Sequence, residues 1–380
     1  MTHKQMRDMT ETTLCADAPK TAAGLATHRT ALRIWLWSVA GLVFAMVVVG
    51  GATRLTESGL SITEWQPIVG VLPPLSHAAW VSEFDKYKGI PQYSAIFSNL
   101  DLNGFKFIFF WEWSHRLLGR LIGLAFALPL IVFWARGALN GALKVKLLGV
   151  LALGGLQGVV GWWMVESGLV GRIEVAQQRL AIHLLLACLT LAALVWIAGS
   201  LASRAEERSA RWQRILALAI LLVTFTQIFL GALVAGLRAG QVYNTWPLMD
   251  GHFAPPLQVL AALSPFWRNL TDNVAMVQFQ HRMVAYTLLA LAIAQAIVSV
   301  RLARGSRGAR RAIGFVHVVT LQVVLGIATL LLAVPLWAGL LHQAFAMVVL
   351  GFATRHAQAL SGGSAAATYP LRRPAKSTVV

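Results

Sequence analysis

Four of the ten histidines, His115, His183, His281 and His342, lie within apolar stretches at places that correspond between the two halves of the chain. Imidazoles on two neighbouring helices can approach one iron from opposite faces. They would then supply both axial ligands of a haem whose apolar macrocycle fits between the helices. His115 with His183, and His281 with His342, are the natural couples. A single histidine inside an apolar helix more often bonds to a neighbouring helix, but four at matching places in a repeat favour ligation. Zinc ordinarily takes three or four N, S or O ligands with a carboxylate or thiolate among them, and neither half offers such a cluster beyond one glutamate.

Arg116 and Arg282 each follow a histidine directly. A guanidinium there could pair with haem propionates bidentately, or snorkel to lipid headgroups. Three residues before these histidines the halves differ, with Glu112 in the first and Gln278 in the second. At i and i+3, Glu112 and His115 share a helix face, which would aim the carboxylate at the edge of the first haem. An ionisable residue within an apolar span is costly and points to function; the competing reading is an i, i+4 ion pair with Arg116. Chemistry is therefore assigned to the first half, and cofactor holding or electron relay to the second. His317 has no counterpart in the other half and is read as structural. His3, His28, His77, His252 and His356 are given no role.

These residues belong to a motif set written twice. Glu112-Trp113-Ser114-His115-Arg116 corresponds to Gln278-Phe279-Gln280-His281-Arg282, and the stretch from Leu156 to Gly161 to that from Leu321 to Gly326. Gly51 to Arg54 followed by Glu64 to Pro67 is echoed by Ala235 to Arg238 followed by Asn244 to Pro247.

The elements that position them follow from composition. With 380 residues, 57% hydrophobic and 12% charged, and a mean hydropathy of +0.65, the chain is too apolar for a water-soluble globule. A membrane span needs roughly 20 mostly apolar residues. Eight segments qualify: Trp35–Thr53, Phe105–Ala135, Leu147–Val165, Leu180–Ala202, Ile215–Leu237, Val274–Val300, Ala312–Val334 and Ala338–Thr354. The expected fold is an all-α integral membrane protein of eight transmembrane helices, arranged as two pseudo-symmetric four-helix bundles. Four spans per half insert both halves the same way up, related by an axis along the membrane normal. The expected units are an N-terminal tail (1–33), a catalytic bundle (34–203), a cofactor-holding bundle (204–356) and a C-terminal tail (357–380).

The net charge of +17 does not indicate nucleic acid, because the basic residues punctuate the ends of apolar runs instead of forming a stripe. Of the 32 Lys and Arg, 21 fall in the tails and the short connections on the same side. By the positive-inside rule both termini are cytoplasmic, and the long loops 54–104 and 238–273 lie outside. Residues 1–33 contain Asp8, Glu11 and Asp17 and lack the apolar core of a signal peptide, which favours a bacterial cytoplasmic (inner) membrane. Cys15 and Cys188 lie in a tail and a span, so no structural disulfide is expected. The long loops should cap the two pockets, and their Trp65, Trp80, Trp246 and Trp267 read as interfacial anchors or pocket caps.

Three strings together resemble the haem A synthase family: Gly50 to Trp65 (GGATRLTESGLSITEW), the Glu-x-x-His-Arg of Glu112 to Arg116, and Tyr243 to Gly251 (YNTWPLMDG). The likeness runs from about residue 33 to 356 and is to the branch shared by α-proteobacteria and mitochondria. Another bacterial branch carries a cysteine pair in its first outer loop; this sequence has none there, so no thiol step is carried over. The resemblance implies conversion of haem O to haem A, a ring methyl being oxidised to a formyl group by successive hydroxylations and loss of water, with the product going to cytochrome oxidase assembly. It implies that His115 and His183 ligate the iron of substrate haem O, that His281 and His342 ligate a resident haem b, and that Glu112 acts at the methyl as base, nucleophile or electrostatic stabiliser. The implied partners are the lipid membrane, haem O, an electron donor and the haem O synthase; a homo-oligomer is compatible with this set. The alternatives from the residues alone are a diheme b-type electron-transfer protein, in which Glu112 is dispensable, and a transporter. Against the transporter, no span pair shows matched Gly/Pro interruptions at midplane.

Overall fold

A chain this apolar has few ways to satisfy its backbone in lipid, and the helix, which closes its hydrogen bonds within one segment, is the local solution. The computed structural model describes residues 18–66, 69–202 and 209–361. The tail residues 1–17 and 362–380, with Cys15 and His3, lie outside the described residues. Among the described residues every long element is a helix, and extended pairing is confined to one bridge between Met249 and His252. Eight helices are long and apolar enough to cross a membrane: His28–Leu55, Leu102–Ala135, Gly141–Leu169, Gln177–Ser200, Arg211–Gly236, Val274–Leu302, Arg307–Leu331 and Leu336–Ser361. The shortest has 24 residues, or about 36 Å at ~1.5 Å per residue against ~30 Å of hydrocarbon. These are the first to eighth spans below.

Polar residues set several starts. Asp101, Asn140, Asn273 and Ser306 cap the second, third, sixth and seventh spans by accepting backbone N–H bonds from the first turn, each contributing about 1 kcal/mol. The seventh span stops at Leu331, short of the expected Val334, because Ala333 and Val334 turn into the left-handed region with φ of 57° and 58°. Pro335, which has no N–H to continue a helix, follows at once. The eighth span runs on to Ser361, past both the expected Thr354 and the expected tail boundary at 357. Its Ala357 and Leu360 pack with Ala217 beyond the end of the apolar run. The first helix begins at Ala18, so residues 18–33 of the expected tail are helical.

The first span packs on the second and fourth, and the third on the fourth; the fifth packs on the sixth and eighth, and the seventh on the same two. Across the halves the fourth meets the fifth and eighth, and the first meets the eighth. The second and third spans only graze each other, whereas the sixth and seventh pack along their length. Small residues let the halves approach: Gln343 on the eighth span donates to the Val47 carbonyl on the first at 2.8 Å, beside Gly51.

At the end that carries the long loops, ion pairs latch the halves. Glu174 binds Arg54 at 2.7 Å and also Arg238, which pairs with Glu57 at 2.6 Å. The first long loop folds into helices His77–Lys88 and Pro91–Ile96 over a small aromatic core of Phe84, Tyr87, Phe105 and Phe109. Trp80 packs edge-on against Phe109 at 5.0 Å and belongs to this core. Trp65 and Trp267 are exposed, while the Trp246 ring N–H donates to the Tyr286 hydroxyl.

Candidate active site

All four histidines sit in the loop half of their spans. His183, His281 and His342 lie about two turns into their helices and His115 nearly four, because the second span begins inside the aromatic core of the loop. Within each half the two rings are near enough to influence one another's charge, His115 with His183 and His281 with His342.

Each ring also crosses a glycine on the neighbouring odd-numbered span. A Cβ at Gly161 would lie 2.9 Å from His183 Cε1, and one at Gly326 would lie 2.8 Å from His342 Cε1. At Gly231 the distance to His281 Cε1 would be 3.1 Å, and at Gly50 the distance to His115 Nε2 would be 3.1 Å. Any larger residue would push the imidazole away.

One turn before three of these glycines stands a glutamine. Gln157 Nε2 is 3.3 Å from His183 Nε2, and Gln322 Nε2 is 3.2 Å from His342 Nδ1. Both amides also donate to the backbone carbonyl of their histidine, at 3.1 and 3.0 Å. Gln227 Nε2 lies 3.1 and 3.2 Å from the two ring nitrogens of His281. The amide oxygens of Gln157, Gln227 and Gln322 are buried without partners, as is His183 Nδ1. Gln157 and Gln322 lie in the repeated stretches Leu156 to Gly161 and Leu321 to Gly326, and Gln227 shares with them a Gln-x-x-x-Gly spacing that marks the third, fifth and seventh spans in the sequence.

Such couples fit a bis-histidine haem. Iron would take one nitrogen of each ring and the other would carry a proton; the glutamines now face the rings with their amide nitrogens, and turning the amide over would bring an unpartnered oxygen to accept that proton. Among the described residues no three or more His, Cys, Asp and Glu gather as a polar metal site would require.

Glu112 is buried, and four donors converge on it. Oε2 accepts from the Ser61 hydroxyl and the Ile62 N–H, both at 2.8 Å, and Oε1 from Arg116 Nη2 at 2.6 Å and Nε at 3.1 Å. The ion pair with Arg116 considered from the sequence is thus formed. Arg116 also donates to the Ile62 and Glu64 carbonyls, tying the first loop to the second span. In the second half the polarity inverts. Gln278 donates to the Ala239 and Tyr243 carbonyls and accepts from Arg282, which itself donates to the carbonyls of Tyr243, Thr245 and Leu248. Arg282 Nε is buried without a partner.

Of the other histidines, His317 is exposed and bonds only back to the Ile313 carbonyl, one turn away. His77 and His252 are exposed on the loops. His356, given no role from the sequence, is buried and bonded to Gln295.

Residues 33–354 match the family model described as cytochrome oxidase assembly protein. The chain is 62% identical over 336 residues to the haem A synthase of Beijerinckia indica, covering 88% of this chain and 94% of that one. It is 54% identical over 338 residues to the haem A synthase of Methylorubrum extorquens, covering 89% and 88%, and 52% identical over 338 residues to that of Brucella ovis, covering 89% and 94%. With the paired histidines and their glycine-faced seats in eight spans, this likeness over nearly the whole chain shows that it belongs to the cytochrome oxidase assembly family that includes the haem A synthases.

Proposed function

We propose that the protein is a haem A synthase, a multi-pass membrane enzyme that oxidises a ring methyl of haem O to a formyl group and so yields haem A for cytochrome oxidase. The observation that carries this reading is that all four histidines, His115, His183, His281 and His342, are seated against a glycine of the neighbouring span. The likeness to named haem A synthases supplies the chemistry. A diheme protein that only transfers electrons is not what these relatives are named for.

In this reading the first bundle takes haem O as substrate through His115 and His183, and the second holds a resident haem b through His281 and His342. The resident group, when bound, supplies one-electron transfer. The two-bundle arrangement is supported by the packing: exchanging the first span with the fifth and the fourth with the eighth interchanges the fourth–fifth and first–eighth contacts and leaves the fourth–eighth contact in place. Arg282, with its unpartnered Nε, has a donor left for a propionate. Arg116 is more fully committed to Glu112 and the loop, so its part is first to close the pocket against water.

Glu112 is assigned to the methyl under oxidation. It supplies a negative charge where the other half has only the Gln278 amide, and its loop contacts hold it still. The distribution of Lys and Arg supports cytoplasmic placement of both termini, and the bacterial relatives support a bacterial cytoplasmic membrane. An electron donor and the haem O synthase are the expected partners. Expression in cells that make haem O but no haem A, followed by pigment extraction, tests the reading. A formyl-bearing haem is the expected product, and its absence with the protein present in the membrane would overturn the proposal.

A further inference from the structure

Three of the four histidines share a support that the fourth lacks. On the third, fifth and seventh spans the glycine against the ring is preceded, one turn earlier, by a glutamine whose amide reaches that ring: Gln157 and Gly161, Gln227 and Gly231, Gln322 and Gly326. The first span presents Gly50 to His115 in the same way, but the residue one turn earlier is Met46. Its methyl end lies over Gly119, one turn beyond His115, where an added Cβ would be 3.2 Å away. Among the described residues the His115 ring makes no hydrogen bond.

We infer that Gln157, Gln227 and Gln322 are positioning residues that fix the iron-ligating histidines, and that Met46 leaves His115 as the ligand that lets go. The inference rests on the haem-ligand reading above and deepens it. A ligating imidazole carries a proton on its second ring nitrogen, and each glutamine accepts it only with its amide turned to present the unpartnered oxygen in place of the nitrogen. A ring so bonded is held in one orientation and made more basic, and losing such a partner typically costs about 10- to 100-fold in metal affinity. A thioether is a weak acceptor on a flexible chain and provides neither effect. The second bundle therefore has two fixed ligands and suits a group that stays. The first has one fixed ligand and one loose ligand, which suits a haem that must enter as substrate and leave as product.

The test is carbon monoxide titration of the reduced, full-length, haem-loaded protein in detergent, since carbon monoxide reports how readily an axial histidine gives way. Met46→Gln should weaken carbon monoxide binding at the first-bundle haem by about tenfold or more. Gln227→Met should make the second-bundle haem take up carbon monoxide, whereas Gln227→Glu, which keeps an acceptor, should leave it closed. Unchanged titrations in both Met46→Gln and Gln227→Met, with haem content and low-spin spectrum intact, would overturn the inference. Failure of the ligand reading would look different: the low-spin spectrum would survive replacement of His281 and His342. If Met46→Gln proves unstable, Gln227→Met and Gln227→Glu decide the matter together, and equal carbon monoxide binding in those two variants counts against it.

Discussion

Glu112 and Arg116 are joined across one turn of the second span, Arg116 Nη2 lying 2.6 Å from Glu112 Oε1, and the first loop is bonded to both of them. Anchoring and chemistry therefore converge on one carboxylate, and two substitutions separate them. Ser61→Ala removes one loop bond worth about 1 kcal/mol and leaves the charge in place, so haem A formation should persist. Glu112→Gln keeps the shape, sets an amide N–H against a donor and removes the charge, so haem A formation should fall at least ~100-fold while haem remains bound. Equal haem A yields from the two variants in extracted pigments would reduce Glu112 to an anchor.

Replacing His281 or His342 by alanine should abolish the low-spin b-type spectrum of the purified protein, because the remaining imidazole cannot hold both axial positions. Replacing His115 or His183 should leave that spectrum in place and stop turnover. Absorption spectra of the four variants check the division of labour between the bundles.

The glycine seats give a steric prediction. Gly161→Ala and Gly326→Ala place a methyl 2.9 and 2.8 Å from a ring carbon, an overpacking that costs about 1–3 kcal/mol, and haem content on purification should drop. Gly154→Ala and Gly158→Ala meet nothing within 4 Å and should behave like the parent. Equal haem retention in all four variants would contradict the close fit.

Glu174 sits between Arg54 and Arg238 and holds the halves together at the loop end. Neutralising it leaves two guanidinium groups facing each other, at a cost between those of exposed and buried pairs, about 1–2 kcal/mol. Glu174→Gln should therefore lower the thermal midpoint in detergent, and high salt should narrow the gap to the parent.

Burial pushes the Tyr87 hydroxyl above its ordinary range, with the negative charges of Glu112 and Glu57 adding to the effect. A proton held more tightly in the folded than in the unfolded state stabilises the fold below about pH 10, and that contribution is lost as the pH rises further. The first loop should become protease-sensitive in alkali, and Tyr87→Phe should shift that onset to higher pH. An identical onset in the two proteins would show that another group controls it.

The sequence by itself determined the eight spans, because crossing a bilayer demands a local run of apolar residues whose length is set by the hydrocarbon and not by distant contacts. It also singled out the four histidines and the couples proposed for them, since duplication made corresponding positions visible without coordinates. The ends of the seventh and eighth helices were less legible. Hydropathy does not register the left-handed turn at Ala333 and Val334, nor the packing of Ala357 and Leu360 beyond the apolar run.

Only the tertiary structure decided what surrounds the chemistry. The bonds from Ser61 and Ile62 to Glu112 join residues some fifty positions apart, and no periodicity encodes them. The place of Gln227 beside His281 was hidden for a related reason: a helix apolar all round shows no preferred face, so which side meets a neighbour is settled by packing. For the same reason the contrast between Met46 and the three glutamines emerged only once each glycine was seen against its ring.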